Sequence, residues 1–318
     1  MITLEHVYWL MGVLAASAAI INVRDPSNPR RYNNAVFWGI YAVTFFVGSR
    51  LPHFVSGCLV IVMVLVASIG KLGQTTRESR TPAEREASAA RWGNRLFIPA
   101  LAIPTVTLLG NVLLKSWRIG GVPVADPKQI TLISLALATV IALAIGMLML
   151  RPPASAPLYE ARRLWDAVGW AAVLPQMLAA LGALFAVAGV GTVVAGLAER
   201  WIPLGSPLVA VVTYTAGMAL FTMIMGNAFA AFPVMTAGIG LPLVAGRFGG
   251  DVVVMAAVGM LSGFCGTLMT PMAANYNIVP AALLELPNEY AVIRAQVPTA
   301  LLLLLANTAI MYLFVFRH

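Results

Sequence analysis

The chain has 318 residues, of which 60% are hydrophobic and only 10% charged, too few charges to cover a water-soluble surface, for which about 25% is typical. A mean hydropathy of +0.87 agrees, and together they indicate a polytopic inner-membrane protein. The net charge of +8 does not signal nucleic acid, because the basic residues lie in short loops between apolar runs, as membrane orientation requires.

A helix needs about 20 apolar residues to cross the hydrocarbon core. On that measure the predicted spans are 4–22, 34–50, 53–70, 96–114, 130–150 and 166–190, then a continuously apolar region from 207 to 284, then 297–316. Glu5 and His6 stand where a cleavable signal would carry basic residues, so the first run is read as a retained membrane helix. Cys58 and Cys265 each fall inside an apolar run without a CxxC partner, and are expected to be buried structural thiols.

Loop charges set the orientation. Arg24, Arg30 and Arg31 follow the first span; Lys71, Arg77, Arg80, Arg85, Arg91 and Arg95 follow the third; Arg151, Arg162 and Arg163 follow the fifth, and Arg294 precedes the last. With these thirteen of twenty basic residues on one side, the N-terminus is expected outside and the 71–95 loop in the cytoplasm. Lys115, Arg118 and Lys128 on the outer side make the bias moderate. Within the cytoplasmic loop, Thr81-Pro82-Ala83-Glu84 reads as a capped helix start, and the stretch to Arg95 as an amphipathic surface helix. Trp9, Trp38, Trp92, Trp117, Trp165 and Trp201 fall near span ends and suit an aromatic belt.

The region 207–284 differs in kind. Small, polar and helix-breaking residues interrupt it at Met225-Gly226-Asn227-Ala228, with Pro233 beyond, and again from Gly263 to Asn277, which contains Gly266, Thr267, Thr270, Pro271 and Asn275. Backbone that leaves the helix at membrane depth needs protein or a water-filled cavity to satisfy its polar groups, so such breaks point to a transporter's binding site. The bland alternative is that Gly226 and Gly266 only let helices pack closely. Helix starts near Ala228 and near Met272 would expose N–H groups and two positive dipole ends to a carboxylate, without a buried Arg or Lys. The predicted substrate contacts are Gly226, Asn227, Ala228, Thr267, Thr270, Pro271 and Asn275. Thr222, Gly266 and Asn277 are predicted at the coupling ion, beside carbonyls that suit Na⁺. The reading needs no resident cofactor.

These residues carry a resemblance. Leu184–Val244, through Ala188-Gly189-Val190-Gly191, Met225-Gly226-Asn227-Ala228 and Thr236-Ala237-Gly238-Ile239-Gly240-Leu241-Pro242-Leu243, resembles the C-terminal half of gluconate-type permeases of the ion transporter superfamily. The Gly226-Asn227-Ala228 tip resembles the Ser-Asn-Thr hairpin tip of dicarboxylate carriers in that superfamily, and Thr270-Pro271 followed by Asn275 resembles their second break. Gly226 and Ala228 lack the hydroxyls of a Ser-Asn-Thr tip, so contact there would run through backbone N–H and Asn227. Met1–His6 and Glu285–Gln296 resemble one bacterial family (domain of unknown function 979), identified as one of two membrane subunits of a 5-oxoproline transporter.

The resemblance implies an all-α membrane fold of about eight spans. Residues 1–165 would be scaffold and 166–318 the transport half. In that half, 166–190 would be a scaffold helix, 191–203 an interfacial piece, 207–246 a re-entrant hairpin and 251–284 a broken transmembrane helix. Full carriers of the superfamily use two such sets. One set here implies that a second membrane subunit, or a second copy, supplies the other half-site. The implied cargo is a small organic anion, 5-oxoproline by the family likeness.

An intramembrane enzyme is disfavoured: His6, His53 and His318 all lie near span ends, and neither HExxH nor GxSxG occurs. A non-transporting assembly subunit would not need unpaired midplane backbone, while a channel stays open as an alternative. Asp166, Asp251 and Glu285 are not at midplane on this reading, which favours Na⁺ over H⁺ as the coupling cation.

Overall fold

The computed structural model describes residues 1–74, 81–201 and 205–316. Arg77 and Arg80 of the charged loop, the end of the interfacial piece and His318 lie outside the described residues. The fold is all-α and polytopic. Seven helical runs among the described residues are long and apolar enough to span a bilayer, and His53–Ser68 and Val252–Thr267 are shorter apolar helices. The chain forms two compact units, Met1–Asp166 and Ala167–His318.

In the first unit α1 (Leu4–Val23) and α2 (Arg31–Val47) pack as a hairpin, close enough that a Cβ on Gly12 would meet the Phe46 ring at 2.8 Å. Next come α3 (His53–Ser68), which packs on α2, and α4 (Pro82–Trp92). The capping box of α4 forms as read: Thr81 N–H donates to Glu84 Oε2 at 2.9 Å and Glu84 N–H to Thr81 Oγ1 at 3.3 Å. Then α5 (Phe97–Ser116) and α6 (Ile130–Leu150) pack together, joined across the helices by Thr131 Oγ1 donating to Asn111 Oδ1 at 2.8 Å. Between them β1 (Arg118–Ile119) and β2 (Val122–Pro123) form a two-residue hairpin, whose central Gly120 and Gly121 both have positive φ, as this tight turn demands.

Two expectations for this unit are corrected. Cys58 is exposed on α3 rather than buried, because α3 covers little of its surface with protein, whereas Cys265 is buried. Trp38 is not a belt residue: it is 1% exposed and donates its Nε1–H to Asp166 Oδ1 at 2.7 Å. A tryptophan near a span end carries a polar N–H, and here a carboxylate rather than a headgroup accepts it.

The span expected at 166–190 lies in the run Ala156–Phe185, one of the seven, with its start shifted and an interruption at Gly169. α7 (Ala156–Val168) starts earlier and is amphipathic; Gly169, at φ +55°, ends it, and a tight turn leads into α8 (Leu174–Val187). A left-handed glycine is an efficient helix stop. α9 (Val190–Trp201) follows.

The second unit's core is built on α10 (Pro207–Met225), α12 (Val252–Thr267) and α14 (Ala291–Val315), which pack on one another around Tyr214, Met218, Met255 and Met311. α10 starts on Ser206, whose Oγ accepts from Val209 N–H at 3.3 Å. It turns at Gly226 into α11 (Ala228–Met235), which continues as wide π-helical turns over Thr236–Arg247. Asp251 caps α12 through Val253 and Val254 N–H, and its own N–H donates to Val315 O at 2.7 Å, so α12 begins level with the end of α14. At 1.5 Å per residue α12 is about 24 Å long, short of the roughly 30 Å hydrocarbon core, while α14 at about 37 Å exceeds it. The chain then turns irregularly through 268–277 before the six-residue α13 (Ile278–Leu283).

Glycines bring α12 against α10. A Cβ on Gly259 would meet the Tyr214 hydroxyl at 2.5 Å, one on Gly263 the Met218 Cε at 2.9 Å, and one on Gly266 the Thr222 Cβ at 2.9 Å. Small residues on one helix face are how membrane helices approach without hydrophobic driving force.

Candidate functional site

Two interruptions, far apart in sequence, meet in the second unit. Gly226 ends α10 in the left-handed conformation at φ +71°, and its missing Cβ leaves room for the Met272 backbone, which a Cβ would strike at 2.6 Å. The hairpin tip therefore rests on the segment that breaks the helix after α12. Thr270 locks the contact: its Oγ1 donates to Met223 O at 2.8 Å and accepts from Met272 N–H at 3.2 Å.

At the tip, Asn227 is the N-cap of α11, its Oδ1 accepting from Phe229 N–H at 2.8 Å. The N–H groups of Ala228 and Ala230 sit in the first turn, where no carbonyl of the same helix can accept them. The helix start expected near Ala228 is there. The one expected near Met272 is not, and this is a correction: helix resumes only at Ile278. Asn277 explains the delay, since its Nδ2 donates to Thr267 O at 2.8 Å and Thr270 O at 2.7 Å, tying the end of α12 to the turn and holding the intervening residues out of helix. One dipole end, that of α11, faces the junction, instead of two.

A cavity of about 70 Å³ opens where these parts meet. Gly226, Asn227, Ala228, Thr267 and Asn275, all expected from the sequence, line it. Thr270 and Asn277 lie beside it as the hydrogen-bonded frame, Pro271 is exposed on the turn, and Thr222 and Gly266 face each other between α10 and α12. Thr222 Oγ1 and Asn277 Oδ1 are both buried and accept no hydrogen bond. Sequence reasoning missed the apolar half of the lining: Leu174 and Leu178 on α8, Phe229, Phe264, Met272 and Tyr276. The Phe229 and Phe264 rings meet edge to face, 5.8 Å apart. Phe229 and Tyr276 adjoin the polar break residues in sequence, a signal hidden by the general abundance of apolar residues; Leu174 and Leu178 carry no local signal at all.

Among the described residues the cavity lining contains no charged side chain. Its polar equipment is amide, hydroxyl and helix-start N–H, which stabilises a single negative charge without an ion pair. At roughly 10–15 Å³ per water, 70 Å³ corresponds to about five to seven waters, or the bulk of one small organic molecule.

The model of one protein family, described as protein of unknown function (DUF979), matches residues 5–316. No curated protein and no solved structure matches the chain.

Proposed function

Because this chain belongs to the DUF979 family, whose description assigns no activity, we propose a function from the cradle itself: a subunit of a secondary-active transporter that carries a small organic anion across the bacterial inner membrane with a coupling cation. The observation that carries the reading is the meeting of hairpin tip and helix break around one small, uncharged, amide-rimmed cavity. A carrier must release what it binds, and amide dipoles hold an anion without the deep well of a buried salt bridge.

The cargo assigned is 5-oxoproline. The resemblance suggests it, and the size of the cavity and its mixed lining of polar and aromatic residues suit a compact cyclic carboxylate. The N-terminus is assigned to the outside by the loop charges. Na⁺ is assigned as the coupling ion, and the orphaned oxygens of Thr222 and Asn277 support it as unused acceptors in an otherwise satisfied frame. Phe229, Met272 and Tyr276 are 64%, 43% and 47% exposed, which supports a half-site that a second membrane subunit or a second copy of this chain completes.

The test is uptake of labelled 5-oxoproline into proteoliposomes. The expected result is saturable, Na⁺-dependent uptake when the chain is reconstituted with its partner, and loss of uptake with Asn227→Asp in a complex that still assembles. Uptake indifferent to substitutions at Asn227 and Thr270 would remove the transport reading in favour of a purely structural subunit.

A further inference from the structure

Within Met1–Asp166 a cluster of buried charge plays no part in the proposed anion site. Arg162 and Asp166 on α7 are each 4% exposed, and Asp25, in the loop after α1, is 6% exposed. Arg162 Nη1 and Nη2 both donate to Asp25 Oδ2, at 2.7 and 2.8 Å, so the guanidinium is committed to that carboxylate. Asp166 is a second carboxylate against the same cation. Its Oδ1 accepts from Trp38 Nε1–H at 2.7 Å and from Asn22 Nδ2 at 3.1 Å. Its Oδ2 accepts no hydrogen bond, and Arg162 Nη1 stands 3.8 Å away, beyond hydrogen-bonding reach.

The groups facing Asp166 from α1 and α2 are neutral: Asn22, Asn34 and Trp38. Among the described residues the charged groups are Arg162 on its own helix and, across Arg162, Asp25. Asp166 Oδ2 is thus a buried carboxylate oxygen with no hydrogen bond, beside a cation already bonded to another carboxylate, an arrangement that proteins avoid by neutralising the group. We propose that Asp166 Oδ2 is a proton-binding site: one proton from solvent adds to that oxygen, giving a neutral carboxylic acid held by Trp38 and Asn22 beside an intact Arg162–Asp25 pair. A metal ion would need further oxygen ligands, and among the described residues no group of three His, Cys, Asp or Glu gathers to supply them.

The Trp38 N–H on Asp166, with the Trp165 ring 5.0 Å from that of Trp38, makes indole emission a local reporter. In the purified full chain in detergent, a pH titration of emission is expected to show a one-proton transition that Asp166→Asn, shaped like the protonated acid, abolishes. Asp166→Asn is expected to melt with the wild type in mildly acidic buffer and above it in alkaline buffer. Asp25→Asn releases Arg162 to Asp166 and is expected to move the transition to more acidic pH. Infrared spectroscopy of the wild type needs no variant, and should show the carbonyl stretch of a protonated carboxyl at neutral pH. Absence of both the transition and the band, or an Asp166→Asn protein destabilised equally at every pH, would overturn the proposal in favour of a purely structural ion pair.

Discussion

Gly226 shows how much one residue can decide. It combines a positive φ, which costs an L-residue roughly 1–2 kcal/mol, with a contact that leaves no space for a Cβ beside Met272. Gly226→Ala is therefore expected to lower stability by at least about 1–2 kcal/mol, seen as a lower melting temperature in detergent, and to reduce uptake because the tip moves off the break. Asn227 separates capping from binding. Aspartate caps a helix as well as asparagine does, so Asn227→Asp is expected to leave the melting temperature within a degree or two of wild type. A fixed negative charge at the rim repels an anionic guest, and even about 1.4 kcal/mol of repulsion weakens binding about tenfold. An unchanged apparent affinity in the Asp variant would mean that the anion does not sit at the tip.

At the scale of elements, the second unit depends on a helix that stops and on the side chains that keep it stopped. The α12 end, the 268–277 turn and the hairpin tip are fastened by Thr270 and Asn277. Thr270→Val keeps the shape but removes the partner of the Met223 carbonyl and the Met272 N–H; with Met223 half-buried and Met272 exposed, the loss is that of ordinary hydrogen bonds, about 1 kcal/mol. The expected outcome is faster amide exchange across 268–277 with little change in α14. Uniform destabilisation of the whole unit would instead show that the turn is not an independent fastening. The breaks at 226 and around 270 were legible in the sequence because Gly, Asn, Thr and Pro are conspicuous in apolar surroundings. Where helix resumed was not legible: Pro271 suggested a start at Met272, and only the reach of Asn277 back to two carbonyls moved it to Ile278.

For the whole molecule, the prediction concerns the bilayer. Leu108 and Val112 on α5 are 69% and 71% exposed, a surface that only lipid or another membrane protein can cover. Glu84, in the exposed α4, lies on the side that the loop charges assign to the cytoplasm. In a cysteine-free background, Glu84→Cys is expected to react with a membrane-impermeant thiol reagent in inverted vesicles and not in intact cells, whereas Leu108→Cys reacts in neither. Labelling of Glu84→Cys in intact cells would reverse the orientation.

Composition alone settled that the chain is helical and lives in a membrane, because 10% charge cannot clothe a soluble surface and hydropathy is a property of each segment by itself. Helix starts with local chemistry, such as Thr81 with Glu84, were legible for the same reason: both partners lie within one turn. Pairings across the chain were decided by tertiary structure. Asn22 and Asp166 are 144 residues apart, and no local pattern announces that α1 and α7 will bring them together or that Trp38 will turn inward to join them. The aromatic half of the cavity was hidden likewise, since a phenylalanine in a chain 60% hydrophobic carries no sign of what it will face. Local chemistry specifies where a membrane helix breaks; which side chains meet at the break depends on how the helices pack.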